Sequence, residues 1–71
     1  MRTNAKLPRN LGKKIQKLRK QANLTQEELA EKIRVSRAYV GYIEQGRNTP
    51  SLEVLEKIAN KLRIPLSKLF D

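Results

Sequence analysis

Arg37, Ala38, Gly41, Tyr42 and Gln45 stand at positions 1, 2, 5, 6 and 9 of the stretch that follows Ser36. On a helix that spacing gathers them on one face, away from Val40 and Ile43, which point inward. The chemistry these residue types support is contact with the base edges of nucleic acid. An arginine near a helix N-terminus donates two hydrogen bonds to guanine O6 and N7, and small residues at 38 and 41 let the helix sit deep against base edges or a thymine methyl. Gln45, and Gln26 further upstream, suit phosphate or adenine. The competing reading is an ordinary solvated helix face. It leaves Gly41 unexplained, because glycine in a helix interior costs about 1 kcal/mol relative to alanine.

Other chemistries lack their residues. The chain has 71 residues with no Cys and no His, which excludes a disulfide framework and a Cys/His metal site. Glu27, Glu28 and Glu31 read as a charged helix face, so neither catalysis nor a cofactor is expected. Charge points to a polyanion: 16 Lys and Arg oppose 7 Asp and Glu, a formal +9. Half of the cations, namely Arg2, Lys6, Arg9, Lys13, Lys14, Lys17, Arg19 and Lys20, fall in the first twenty positions, and no acid precedes Glu27. DNA, RNA and an anionic membrane all fit such a balance, as does a merely solvated surface. An RNA-binding module normally offers several exposed aromatics for base stacking, whereas the aromatics here are Tyr39, Tyr42 and Phe70 alone. No apolar run approaches the roughly 20 residues that span a membrane, and the N-terminus lacks a signal-peptide core. A basic membrane-surface helix over residues 11–22 would have its narrow apolar face buried in the domain. A cytoplasmic location is expected.

These residues need elements to position them. Residues 1–9 are polar, contain Pro8 and lack periodicity, so they read as a flexible basic arm ahead of a domain over 10–71. Leu11, Ile15, Leu18 and Ala22 form the apolar stripe of a first helix, with Asn10 as N-cap and an end near Asn23. Thr25 and Glu28 have the form of a capping box, followed by a second helix over about 26–33 whose buried face is Leu29, Ala30 and Ile33. After a short turn at Arg34-Val35, Ser36 caps a third helix over about 37–45, and Gly46 ends it. Thr49-Pro50 fits N-cap and first helical position of a fourth helix, with Leu52, Leu55, Ile58, Ala59 and Leu62 as its stripe. Pro65 breaks the chain, and Leu66 to Phe70 can form a last short helical turn. The expected class is all-α, with four helices and a short fifth. Helices two and three have the size of a helix-turn-helix, in which the second helix enters the major groove.

The segment from Leu24 to Leu62 resembles the phage repressor/Cro helix-turn-helix family. The marks that carry the resemblance are Leu24-Thr25-Gln26, Leu29-Ala30, Val35-Ser36, Val40, Ile43-Glu44, Gly46, Pro50-Ser51-Leu52 and Ile58-Ala59. With Leu18-Arg19 upstream and Leu66 to Phe70 downstream it covers residues 11–70. The stretch Ser36 to Glu44 followed by Gly46-Arg47-Asn48 is also similar to the controller proteins of restriction-modification systems. The resemblance implies a compact five-helix domain that binds double-stranded operator DNA sequence-specifically, usually as a homodimer on a dyad-symmetric site. It implies that Gln26 clamps phosphate and can support the recognition helix. Arg37, Ala38, Gly41 and Tyr42 would face bases, and Tyr39 would reach the sugar-phosphate edge or a base. Gln45, Arg47 and Asn48 would lie at the next backbone contact, with Ser36 completing the DNA-contacting set. Arg19 and Glu44 match a structural ion pair.

Three departures stand out. Glycine is common in the family where this chain has Asn23, Arg34 and Arg63. Asparagine tolerates positive φ, but arginine does so at a cost of about 1 kcal/mol. Either the turn at Arg34 changes shape, or Arg34 adds a phosphate contact that offsets the strain. Leu66, Leu69 and Phe70, at the end of a small core, are the candidate dimer interface. There is no room for an effector-binding domain, so no small-molecule effector is expected. A transcriptional regulator, as repressor, is the leading function. The alternative is an antitoxin-type protein that binds DNA through the same fold and also a protein partner.

Overall fold

Capping chemistry places the helices. In the computed structural model, which describes residues 10–70, α1 runs Leu11–Gln21, α2 Gln26–Ile33, α3 Arg37–Glu44 and α4 Leu52–Leu62, and a 3-10 helix over Leu66–Phe70 closes the chain. The arm expected over residues 1–9 lies outside the described residues. There are four α-helices rather than five, since the fifth expected element is the 3-10 segment, too short after Pro65 to establish the i→i−4 ladder. Thr25 and Glu28 form a reciprocal capping box at α2, and the Ser36 hydroxyl accepts from the Tyr39 N–H at 3.0 Å.

Two starts differ from the sequence reading. Asn10 precedes α1, but its side chain makes no capping hydrogen bond. At α4 the cap is Ser51, whose Oγ accepts from the Val54 N–H at 3.2 Å, and not Thr49. Thr49 and Ser51 are both good cap types. The burial of Pro50 draws the connecting loop into the domain and leaves the first turn to Ser51.

Every α-helix ends in the same device. Asn23, Arg34, Gly46 and Arg63 adopt left-handed conformations, with φ of 62°, 64°, 78° and 60°. The following N–H then reaches back across the last turn: Leu24 to Arg19 O, Val35 to Ala30 O, Arg47 to Tyr42 O and Ile64 to Ala59 O, at 3.1, 2.9, 2.8 and 3.0 Å. These are Schellman closures, and Leu24, Val35 and Ile64 supply the apolar contact that accompanies them. The turn at Arg34 therefore keeps the left-handed geometry that glycine would give it and does not change shape.

Helix α3 packs on α2 and α1, α2 also packs on α4, and the 3-10 helix covers α4 and α1. The core draws on every element, with Ile15, Leu29, Ile33, Val40, Ile43, Leu55, Ile58 and Leu69 almost wholly buried. Two residues of the expected stripes lie outside it. Ala22 is exposed beyond the end of α1, and Leu52 is 59% exposed in the first turn of α4. Gly12 sets the crossing of α1 over α3. A Cβ there would stand 2.4 Å from the Ile43 carbonyl oxygen and 2.7 Å from that of Glu44, so only glycine allows the two helices to approach this closely.

Candidate nucleic-acid interface

The turn between α2 and α3 brings the N-termini of the two helices together. Val40 and Ile43 anchor α3 in the core, and Arg37, Ala38, Tyr42 and Gln45 are exposed. Gly41 is not part of that outer surface. It is buried, and the side chains of Gln26 and Gln45 lie over it. A Cβ built at 41 would meet the Gln26 amide at 3.9 Å and the Gln45 amide at 4.0 Å, ordinary contact distances, so the packing of this chain does not demand glycine there. Tyr39 is half-buried against the core, a packing residue with one edge outward. Ser36 and Asn48 are exposed, the former with its hydroxyl engaged in the α3 cap.

Beneath this surface lies a polar network centred on Glu44. Its Oε2 accepts from Arg19 Nε at 2.6 Å, and its Oε1 accepts from Arg19 Nη2 at 3.1 Å, Gln26 Nε2 at 2.9 Å and Gln16 Nε2 at 3.3 Å. Arg19 Nη1 donates to the Leu24 carbonyl at 2.7 Å. The ion-pair side chains are 7% and 1% exposed, and no buried side-chain polar atom among the described residues lacks a partner. Burial pushes the Glu44 carboxyl up. The hydrogen bonds from Arg19 and Gln26, the Arg19 charge and the Gln16 hydrogen bond outweigh it and hold the carboxyl below its ordinary value of 4.5.

The network reaches the exposed face of α3 through Gln26. Gln26 Oε1 accepts from Arg37 Nη1 at 2.8 Å. Gln26 thus joins the start of α2 to the start of α3 and to the buried pair. At the far end of α3 the Arg47 guanidinium stacks over the Tyr42 ring, 5.2 Å from its centroid, and Arg47 Nη1 lies 3.4 Å from Gln45 Oε1. The exposed face of α3 is therefore bracketed by two guanidiniums held by different means.

The candidate dimer residues separate. Leu69 is fully buried in the core of its own chain, because the 3-10 turn folds back over α1 and α4. It offers no surface to a second copy. Leu66 is half-buried and Phe70 is 38% exposed. Sequence reasoning missed Gln16, Gly12 and the Arg47–Tyr42 stack. Gln16 and Gly12 carried a weak signal, a glutamine and a glycine one turn apart beside the apolar stripe of α1. The stack depends on where the loop after Gly46 turns back, which spacing does not encode. Among the described residues no group of three or more His, Cys, Asp or Glu could hold a metal ion, and no helix is long and apolar enough to cross a membrane.

A family model described as helix-turn-helix matches residues 15–69. The chain is similar to the immunity repressor protein of Bacillus phage phi105, 44% identical over 59 residues. That match takes in 83% of this chain and 41% of the repressor, so the chain spans about two fifths of that protein's length. Among solved structures it is similar to the restriction-modification controller protein C.AhdI from Aeromonas hydrophila, with a TM-score of 0.84 and 35% identity over 87% of this chain and 94% of that one. It is also similar to the master regulator for biofilm formation SinR, solved in complex with DNA, with a TM-score of 0.80 and 34% identity over 86% of this chain and 98% of that one.

Proposed function

The chain belongs to the helix-turn-helix family that its residues 15–69 match, and from that membership we propose that it is a transcription regulator that binds double-stranded DNA sequence-specifically and acts as a repressor. The observation that carries the reading is the open face of α3, with Arg37 at its start, Gln45 and Tyr42 along it and Arg47 stacked at its end. The likeness to C.AhdI and to SinR bound to DNA supports it. In this reading α3 enters the major groove. Arg37 addresses a base edge, and Ala38 and Tyr42 lie against neighbouring bases, with Gly41 buried behind them under Gln26 and Gln45. Gln45, Arg47 and Asn48 hold the sugar-phosphate backbone, and Gln26 and Ser36 stand at the two helix N-termini, where anions are favoured. Arg2, Lys6 and Arg9 add backbone charge from the arm.

The working species is a homodimer on a dyad-symmetric operator, with Leu66 and Phe70 as its apolar contacts and the recognition helices about 34 Å apart, one DNA turn. It acts in the cytoplasm. Selection from randomised duplexes followed by footprinting tests the proposal. The expected product is one inverted repeat with half-sites centred about 10 base pairs apart. A pool that converges on no sequence would refute specific reading.

A further inference from the structure

Glu44 satisfies Arg19, and a structural ion pair needs nothing more. It also accepts from Gln26, whose other end holds Arg37. We propose that Glu44 is a positioning residue for base reading, acting through the orientation of the Gln26 amide on Arg37. The proposal rests on the reading that Arg37 addresses a base.

The argument is one of donors and acceptors. An ionised carboxylate only accepts hydrogen bonds, and a guanidinium only donates them. The Gln26 amide lies between the two, with Nε2 2.9 Å from Glu44 Oε1 and Oε1 2.8 Å from Arg37 Nη1. Turning the amide over would set oxygen against the carboxylate and N–H against the guanidinium, two repulsive contacts in place of two bonds. Only one orientation satisfies both neighbours. Glu44 itself does not give way, since its side chain is 1% exposed and Arg19 and Gln16 hold it as well. Arg19 is fixed in turn on the Leu24 carbonyl. A buried anchor therefore presents a carbonyl oxygen at a fixed place beside the first residue of α3. Arg37 is exposed and long, and this oxygen is the contact that limits where its guanidinium lies. Preorganisation of that kind favours the base that matches the held geometry over others that a free arginine would reach.

Gln26→Met keeps length and volume and removes both hydrogen bonds. Glu44→Asp keeps the charge opposite Arg19 and withdraws the carboxylate from Gln26. Binding sites are selected from randomised duplexes with the full chain, Gln26→Met, Glu44→Asp, Arg37→Ala and the Gln26→Met/Arg37→Ala double variant, and thermal midpoints are measured for each. Arg37→Ala is expected to lose preference at one base pair of each half-site. Gln26→Met should lower preference at that same pair about tenfold, with the other pairs unchanged and the midpoint within a few degrees. Glu44→Asp should reproduce the local loss, and the double variant should match Arg37→Ala. Full preference at that pair in Gln26→Met would overturn the proposal. So would an equal loss at every pair, or a Gln26→Met effect undiminished without Arg37, since either marks a general structural role. If Arg37→Ala relaxes no single pair, the assignment of Arg37 as a reader fails first, and the proposal falls with it. Should Glu44→Asp not fold, Glu44→Gln takes its place: an amide at 44 can donate as well as accept and no longer dictates the orientation of Gln26, so it should show the same local loss, and full preference at that pair would overturn the proposal.

Discussion

Burial alone would raise the pKa of Glu44, yet the hydrogen bonds from Arg19, Gln26 and Gln16 and the Arg19 charge hold it below 4.5. A carboxylate whose folded-state pKa is depressed adds stability above its unfolded pKa, and that stability is lost as pH falls through the folded value. Chemical denaturation of the wild type and of Glu44→Gln, from neutral pH into the acid range, checks this. The wild type should be the more stable at neutral pH, and the gap should close as pH drops below 4.5. A gap that stays constant would show that the charge of Glu44 adds nothing. The Arg19–Glu44 match was visible in the sequence only through family resemblance. The bonds to Gln16 and Gln26 were not visible, because they depend on how closely α1 and α2 approach α3. Arg34 posed the opposite case. Its strain was legible because the resembling family commonly has glycine there, and the structure resolves how it is borne: the Val35 N–H closes the turn on the Ala30 carbonyl, and the guanidinium sits at a helix C-terminus, where positive charge is favoured.

Two helix glycines behave as opposites at the scale of elements. At Gly12 a Cβ would strike the α3 backbone, so Gly12→Ala forces α1 away from α3. Overpacking of this kind costs about 1–3 kcal/mol, more than the helix propensity it gains. At Gly41 a Cβ meets nothing closer than 3.9 Å, so Gly41→Ala gains about 0.5–1 kcal/mol of stability. For a domain of this size 1 kcal/mol shifts the midpoint by about 4–8 °C, so thermal unfolding should show Gly12→Ala lower and Gly41→Ala higher than wild type. Midpoints that move in the same direction would contradict the packing described. Helix boundaries were largely legible, since Thr25, Ser36, Asn23 and Gly46 announce themselves by residue type, whereas the left-handed positions at Arg34 and Arg63 were visible only through the family resemblance. The start of α4 was not. Thr49 and Ser51 offer equivalent hydroxyls, and the choice turns on Pro50 entering the interior.

At the scale of the whole molecule, the apolar chain end was legible as an apolar run, but which of its residues face inward was not. The 3-10 geometry buries Leu69 and leaves Phe70 out. If Phe70 lies at a dimer interface, sedimentation should show a concentration-dependent dimer that Phe70→Ser weakens without lowering the thermal midpoint of the monomer. A monomer at high concentration that still binds one per site would contradict the dimer. The central claim is that α3 reads bases while the loop after it holds phosphate. Phosphate contacts fix position without carrying sequence, and base contacts discriminate. The most direct test is a salt titration of binding for wild type, Arg37→Ala and Arg47→Ala, each on a selected duplex and on a scrambled one. Arg37→Ala should lose about 1–3 kcal/mol on the selected duplex and little on the scrambled one. Arg47→Ala should weaken both alike and lower the salt slope by about one. An Arg37→Ala protein that loses affinity equally on both duplexes would make Arg37 a phosphate contact and contradict the assignment of α3 as the reading helix.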